Sequence, residues 1–278
     1  MKIKILTMVK NEEDIIEYWI NYHGTLFGYR NLFIIDNYSD DGTYEKILRY
    51  KKIGVHIIRD SDYTKKGDLM TKMIKSNKSY DIAIPLDIDE FISHYDKTNN
   101  TLNPSHTKIY IDQCLDIENN SIFKCNYIQS TISTNDSFGY NNALIESKYG
   151  KYEDYKDLAK TFFKVKGWSG VLDHGNHYNT TEYLLTDLVL VHYHCRNLQQ
   201  MKKKVLTNIL GLGYKQDLYY LENLLKENKN IQGSHHVNHM INILKNKFSI
   251  ETNIQAENKE DYVKLNSLTN YFLKLSIQ

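Results

Sequence analysis

Over its first 95 residues the chain alternates short β-rich apolar runs with helical repeats, and this alternation constrains the fold more than any other feature. The opening run is Ile3-Lys4-Ile5-Leu6-Thr7-Met8-Val9. Ile15, Ile16, Trp19, Ile20, Leu26 and Phe27 then recur at a period of about 3.6, which gives a helix one apolar face. Leu32-Phe33-Ile34-Ile35 reads as a short buried strand that ends at Asp36 and a turn cluster, Asn37-Tyr38-Ser39-Asp40-Asp41-Gly42. Thr43 opens a second helix, which runs through about Tyr50. A third strand over Val55 to Ile58, a helix around Leu69 to Lys75 and a fourth strand, Ile82-Ala83-Ile84-Pro85-Leu86, complete the series. Such a series predicts an α/β fold with a mainly parallel sheet and helices on both faces. Ligands of these sheets bind beyond the carboxyl ends of the strands. The residues to read for function are therefore Lys10 to Glu12, Asp36 with its loop, and Asp87 to Glu90.

Beyond residue 100 the pattern is less regular. Strands are expected at Ile122 to Ile128, Thr161 to Val165 and Leu188 to His194, extending the sheet and shaping a second pocket. After Met201 three helical stretches are expected, containing Leu218 to Leu225, Val237 to Leu244 and Tyr262 to Leu275. There is no internal repeat and no low-complexity linker. The organisation expected is a catalytic domain over 1–205, with a nucleotide-binding half (1–95) and an acceptor half (96–205), followed by a helical C-terminal extension over 206–278. With 35 basic and 34 acidic residues the net charge is +1, so no whole-molecule field favours nucleic acid. No apolar run approaches the roughly 18 residues of an integral membrane segment. The apolar stretch after Met1 breaks at Lys10-Asn11-Glu12-Glu13-Asp14, too early for a signal peptide, so a cytoplasmic or otherwise soluble intracellular protein is expected. Cys114, Cys125 and Cys195 are an odd number without Cys-x-x-Cys pairing, which suits reduced, buried thiols.

The most informative string is Leu86-Asp87-Ile88-Asp89-Glu90-Phe91. In extended chain, positions two apart point the same way, so Asp87 and Asp89 are expected to share one ligand. Two hard oxygen donors at a cleft mouth suit Mg²⁺ or Mn²⁺; the competing reading is a solvated acidic turn. His192 and His194 are likewise two apart on an expected strand, and neutral imidazole suits Mn²⁺, although either ring could be a hydrogen-bonded core residue. His235, His236 and His239 have helical spacing but no carboxylate nearby, so a solvated helix face is expected there.

Together, Lys10-Asn11-Glu12, Tyr22-His23, Asp36 to Thr43 and Asp87 to Phe91 resemble a family 2-type glycosyltransferase with the GT-A fold. The branch is the one reading K-N-E, then a helix ending Y-H, then D-N-x-S-x-D-G-T, then D-x-D-E-F. Lys160, His174-Gly175-Asn176-His177-Tyr178, His192-Tyr193-His194 and Lys202-Lys203-Lys204 also look like that branch, so the resemblance spans roughly residues 1 to 205. It implies a Rossmann-like nucleotide-diphospho-sugar transferase that is metal-dependent and inverting. Its sugar would come from a nucleoside-diphosphate donor, UDP-sugar favoured, and go to an acceptor hydroxyl on a glycan, protein or lipid. Thr7, Val9, Asn11, Glu12 and Asp36 would hold base and ribose, with Asp68 also facing the nucleotide. Asp87 would touch the ribose or a metal-bound water, Asp89 would bind Mn²⁺ or Mg²⁺ directly, and His192 or His194 would complete the metal site.

An inverting route needs a base for the acceptor proton. Glu146, Glu153, Asp154, Asp173 and Glu182 lie in the acceptor half; Asp173 is the candidate because it adjoins the His174-Gly175-Asn176-His177 loop. Trp168 and Tyr178 are candidates to stack on a sugar, and Trp19 is expected in the core. Two other classes compete. A sugar nucleotidyltransferase wants a glycine-rich loop after the first strand, and Met8-Val9-Lys10-Asn11-Glu12 has no glycine; NAD enzymes fall for the same reason. A non-catalytic nucleotide- or carbohydrate-binding module is opposed by the retained Asp36, Asp87 and Asp89.

Overall fold

The computed structural model describes residues 1–130, 144, 147–153, 160–173, 175, 180, 182–194, 196, 198–227, 231–247 and 262–275. The fold is α/β, and its first half is built by the alternation that opens the sequence. Strand β1 (Ile3–Val9) leads into helix α1 (Ile16–Phe27), β2 (Leu32–Asp36), α2 (Thr43–Lys51), β3 (His56–Arg59), α3 (Lys66–Lys75) and β4 (Ile82–Pro85). These four strands run parallel in the order β4-β1-β2-β3. Every residue of β1 is buried, as a strand covered on both faces requires. Ile3, Ile5 and Val9 face one core with Ile16, Trp19 and Ile20 of α1, while Leu6 and Met8 face a second core with Met70 and Ile74 of α3.

The second half is mixed. It comprises β5 (Glu90–Asp96), β6 (Thr101–Asn103), α4 (Thr107–Leu115), β7 (Ile122–Ser130), β8 (Tyr149–Glu153), β9 (Lys160–Lys164) and β10 (Leu184–His192). Strand β9 joins the halves, pairing antiparallel with β4 and with the first part of β7. Along its other edge β7 runs parallel to β10, which in turn pairs antiparallel with β5. This arrangement sets the end of β10 beside the start of β5, with His192 opposite Glu90.

The rest of the chain contributes α5 (Leu198–Gly211), α6 (Leu218–Glu227), α7 (Ser234–Leu244), β11 (Tyr262–Lys264) and α8 (Asn266–Leu275). Helices α5 to α7 pack around their own core of Met201, Val205, Ile209, Leu221, Val237 and Met240. The last expected helix begins four residues later than its apolar pattern, because Tyr262–Lys264 adds a strand between β6 and β8 instead. Helix α8 then returns to α1, burying Leu268 and Phe272 in the main core. Among the described residues no helix is long and apolar enough to cross a membrane. Cys114 and Cys125 are buried free thiols; Cys195 lies outside the described residues.

Candidate active site

The loops that follow β1 and β2 are sewn together by the residues of their own motifs. Asn37 N–H donates to the Val9 carbonyl (2.8 Å), Asn11 N–H to Ser39 Oγ (3.1 Å), Asp40 N–H to Asn11 Oδ1 (2.9 Å) and Glu12 N–H to Thr43 Oγ1 (2.9 Å). Gly42 caps α2 with φ 92°, and an added Cβ would stand 3.0 Å from Glu13 Oε2; glycine takes this left-handed turn without strain. Asn11 and Tyr38 also have positive φ, 57° and 52°, so both loops turn sharply at the carboxyl ends of their strands.

Asp36 is fully buried at the end of β2. It accepts from Arg59 Nε (2.7 Å) and from Ser39 N–H (3.2 Å), while the Arg59 guanidinium lies over the rings of Tyr38 and Tyr44, 4.4 and 3.8 Å from their centroids.

After β4 the chain does not stay extended. Glu90 N–H donates to the Asp87 carbonyl (3.1 Å) and Glu90 Oε2 accepts from Asp87 N–H (2.8 Å), closing a tight turn into β5. This turn replaces the extended geometry from which a shared face for Asp87 and Asp89 was expected; the two carboxylates line the same cavity with different partners. Asp87 is clamped by two lysines, Lys66 Nζ at 2.5 Å from Oδ1 and Lys160 Nζ at 2.7 Å from Oδ2. Lys160 also donates to the Gly175 carbonyl (2.5 Å) and lies 3.5 Å from Glu90 Oε1, which accepts from Tyr127 OH (3.0 Å). Burial by itself raises the Asp87 carboxyl; Lys160 and then Lys66 outweigh it and hold the group well below the carboxylate range.

Asp89 lies against the end of β10 and against α5. Its Oδ2 lies 3.4 Å from His192 Nε2 and 3.9 Å from His194 Nδ1, and it accepts a hydrogen bond from Lys204 Nζ. Tyr193, between the two histidines and just past the end of β10, turns into the core and donates its N–H to the Asp89 carbonyl (2.8 Å); both imidazoles are left beside the Asp89 carboxylate. One ligand atom from each of Asp89, His192 and His194 lies within 4.8 Å of the others. A carboxylate oxygen and two imidazole nitrogens form a donor set that fits Mn²⁺. Gln129 Nε2 sits 3.1 Å from His192 Nδ1, the outer partner that orients a ligating ring. Asp89 too is raised by burial and lowered more strongly by Lys204 and His192, so it is ionised well below the usual range.

These groups open onto a cavity of about 320 Å³, within the range of small-molecule sites. Asn11 and Glu12 from the first loop, Lys66, Asp87 and Asp89, and His192 and His194 line one side. The opposite wall comes from the C-terminal helices, through Lys203, Lys204, Thr207, Asn208, His235 and His236. Arg196 ties the first loop to the end of β10: wholly buried, it donates to Asp14 Oδ2 (2.6 Å), to Glu12 Oε2 and to the Tyr193 carbonyl (3.2 Å). Lys203 adds a 2.6 Å pair to Asp41.

Several expected site residues stand elsewhere. Thr7 and Val9 are buried inside the sheet and Asp36 lies behind its loop, so none of the three side chains lines the cavity. Asp68 is exposed in the first turn of α3, whose Lys66 is the residue that enters the site. Asp173 is exposed outside the cavity lining, and its carbonyl packs on Gly67 instead. Trp168 stacks on Phe163 at 4.1 Å in the second core, whereas His174, His177, Tyr178, Glu146 and Asp154 lie outside the described residues. The histidines expected on a solvated helix face include two that line the cavity: His236 bonds Asn208 (3.1 Å) and stacks on His194 with centroids 6.4 Å apart. Burial, then His235, lowers the His236 imidazole to about 3, so it is neutral. Lys66, Arg196, Lys204 and the pair His235–His236 were not assigned chemical roles from the sequence; only Lys204, in its triple-lysine run, carried a signal.

No family model matches this sequence, and no curated protein matches it. Among solved structures, Mycobacterium tuberculosis glucosyl-3-phosphoglycerate synthase in complex with Mn²⁺ and UDP-glucose is similar at 19% identity, with 45% of this chain and 43% of that chain covered and a TM-score of 0.33. The same enzyme in complex with phosphoglyceric acid is 14% identical over 77% of this chain and 81% of that one, with a TM-score of 0.42. S. aureus TarS 1–349 is 9% identical over 99% of this chain and 81% of that one, with a TM-score of 0.44. The chain thus spans less than half the length of the first of these. With TM-scores under 0.5, these likenesses add nothing to what the cleft's own residues argue.

Proposed function

We propose that this protein is a metal-dependent glycosyltransferase of the GT-A type, moving a sugar from a UDP-sugar to an acceptor hydroxyl with inversion. One observation carries the reading: Asp89, His192 and His194 converge within 4.8 Å beyond the carboxyl ends of β4 and β10, in a cleft that also holds Lys66, Lys203 and Lys204. A cluster of that composition beside several ammonium groups suits a diphosphate and its divalent cation better than a neutral ligand.

Asp89, His192 and His194 would hold Mn²⁺ or Mg²⁺, which when bound supplies Lewis-acid charge to a departing nucleoside diphosphate. The chain's own residues do the rest. The loops carrying Asn11 and Tyr38, fixed to one another, receive base and ribose at the ends of β1 and β2. Lys66, oriented by Asp87, and Lys204 present positive charge to the phosphates. Asp87 stays ionised and positions the lysines rather than serving as a second metal ligand. The wall of α5 and α7 takes the acceptor. There His235, a neutral imidazole in the cavity lining, would accept the hydroxyl proton as the acceptor oxygen bonds to the anomeric carbon and the sugar–phosphate bond breaks; His236, lowered to about 3, is too weak a base for that step.

The test is a thermal-shift panel of UDP, GDP and CMP with Mn²⁺, Mg²⁺ or EDTA, followed by turnover of the matching nucleotide sugars. Ligand at about 100 times its dissociation constant adds roughly 2.7 kcal/mol. A shift with UDP that EDTA removes is expected, and a folded sample that responds to no combination would overturn the reading.

A further inference from the structure

Lys204 stands where two cations compete. It lies within α5 with its side chain 14% exposed. Its Nζ donates to Asp89 Oδ2 and sits 3.2 Å from His194 Nδ1, so it touches two of the three members of the candidate metal cluster. The same Oδ2 is the oxygen that His192 Nε2 and His194 Nδ1 approach, at 3.4 and 3.9 Å. An ion ligated by Asp89 and His194 and the Lys204 ammonium therefore call on one carboxylate oxygen and one imidazole nitrogen, and like charges at such distances repel strongly in a buried site. The neighbouring carboxylates are committed elsewhere: Glu12 and Asp14 to Arg196, Asp41 to Lys203, and Asp87 to Lys66 and Lys160. Among the described residues, the other carboxylate that acts on the Lys204 ammonium is Glu12, and it already accepts from Arg196, so a divalent ion and the ammonium both draw chiefly on Asp89. A nucleoside diphosphate relieves this competition, because its phosphate oxygens offer the ammonium a new partner within the same cleft, and the flexible four-carbon stem of lysine allows the short move.

We propose that Lys204 is the internal counter-cation of this site, competing with the divalent ion for Asp89 and transferring to the nucleotide's phosphates when both ligands bind. The proposal rests on the metal-dependent reading above. Its consequence is positive coupling: the metal binds weakly alone and tightly with nucleotide, and by linkage each improves the other's affinity by the same factor.

Isothermal titration of MnCl₂ into the full chain, with and without saturating UDP, tests it. Without UDP, Lys204→Met is expected to bind Mn²⁺ at least tenfold more tightly than the native chain, whereas Lys204→Arg, which keeps the charge, should bind it as the native chain does. Saturating UDP should tighten Mn²⁺ binding in the native chain and do so much less in Lys204→Met. If circular dichroism shows that the methionine variant is unfolded, Lys204→Gln carries the same expectation with a hydrogen-bonding side chain. Native and variant chains that bind Mn²⁺ equally, or a variant that binds it more weakly, would overturn the role of Lys204 and leave the metal site standing. Mn²⁺ bound by neither chain would overturn the metal site and this proposal together.

Discussion

Asp87 and Asp89 are two residues apart and face different charges, so one substitution has two outcomes. In Asp89→Asn the cluster with His192 and His194 loses its only carboxylate. Mn²⁺-dependent stabilisation by UDP should vanish in a thermal shift while far-UV circular dichroism stays native. In Asp87→Asn the two buried lysines, 8% and 4% exposed, lose their shared partner. Removing one member of a buried ion pair costs about 3 kcal/mol or more; Asp87 serves two buried ammonium groups where Asp89 serves the one of Lys204, so the urea midpoint should fall further than in Asp89→Asn. Equal midpoints would contradict the division of roles. The two carboxyls also set the acid limb of stability: each is held below its unfolded value, so its contribution is complete above about pH 4 and is lost as pH falls further. His23 acts earlier. Burial lowers it to about 3 despite its bond to the Trp19 carbonyl (2.9 Å). The unfolded chain therefore takes up the proton first, and stability declines from about pH 6.5 downward, at up to roughly 1.4 kcal/mol per pH unit. His23→Phe should lessen the slope between pH 6.5 and 4 in urea titrations, by up to roughly 1.4 kcal/mol per pH unit, leave the share that His236 contributes in the same way, and leave pH 7.5 nearly unchanged. At this scale the sequence was informative about which strings matter and less so about what each member does. Tyr22-His23 belongs to the core, with Tyr22 OH bonded to the Ile92 carbonyl (2.8 Å), and Ser39 and Thr43 fasten loops. A motif records an identity at a position, and the direction of a side chain depends on partners distant in the chain.

Among the elements, the parallel half was legible because its strands are predominantly apolar and its helices carry a single apolar stripe, both of which are local patterns. The turn at Asp87 to Glu90 was not, since an acidic string after a strand reads the same whether it runs on or reverses; the Glu90 carboxylate that closes it is visible only in three dimensions. Strand β11 was missed for a related reason: three residues beside a helical pattern have no period of their own, and its pairing with β8 supplies the strand. Helix α3 shows how an element aims a functional side chain. Gly67 follows Lys66, and a Cβ there would stand 2.3 Å from the Leu172 carbonyl oxygen and 2.6 Å from that of Asp173. Backbone cannot yield as a side-chain tip can, so Gly67→Ala must push the start of α3 away from residues 172–173 and draw Lys66 off Asp87. Overpacking of this kind costs about 1–3 kcal/mol. Both a lower urea midpoint and weaker UDP binding are expected; a variant with native stability and native UDP affinity would show that the contact with residues 172–173 does not position the lysine.

At the scale of the whole molecule the cleft depends on long-range closure. Arg196 joins the first loop to the end of β10 across more than 180 positions, through Glu12 and Asp14, and the opposite wall of the cavity is supplied by helices that follow it. The sequence places a boundary near residue 205, where the resemblance ends, yet the chain beyond it supplies more than an appended wall. Val263, Leu265, Leu268 and Phe272 are all buried in the main core, and the Phe272 ring stands 5.0 Å from Phe91, one residue beyond the turn that carries Asp89. Burying a large apolar side chain is worth about 1.5–3 kcal/mol, so these four together are worth about 6–12 kcal/mol, comparable with the entire stability of an ordinary domain at about 5–15 kcal/mol. A chain ending at residue 205 should therefore fail to fold, with exposed apolar surface detectable by dye binding and no cooperative urea transition. Replacing Phe272 alone by alanine in the full chain should cost about 3–5 kcal/mol and, because Phe272 packs against Phe91, should loosen the Asp89 turn enough to weaken Mn²⁺ binding as well. A truncated chain with a cooperative transition and intact UDP binding would mean that residues 1–205 form an autonomous domain and that the C-terminal helices are an accessory to it.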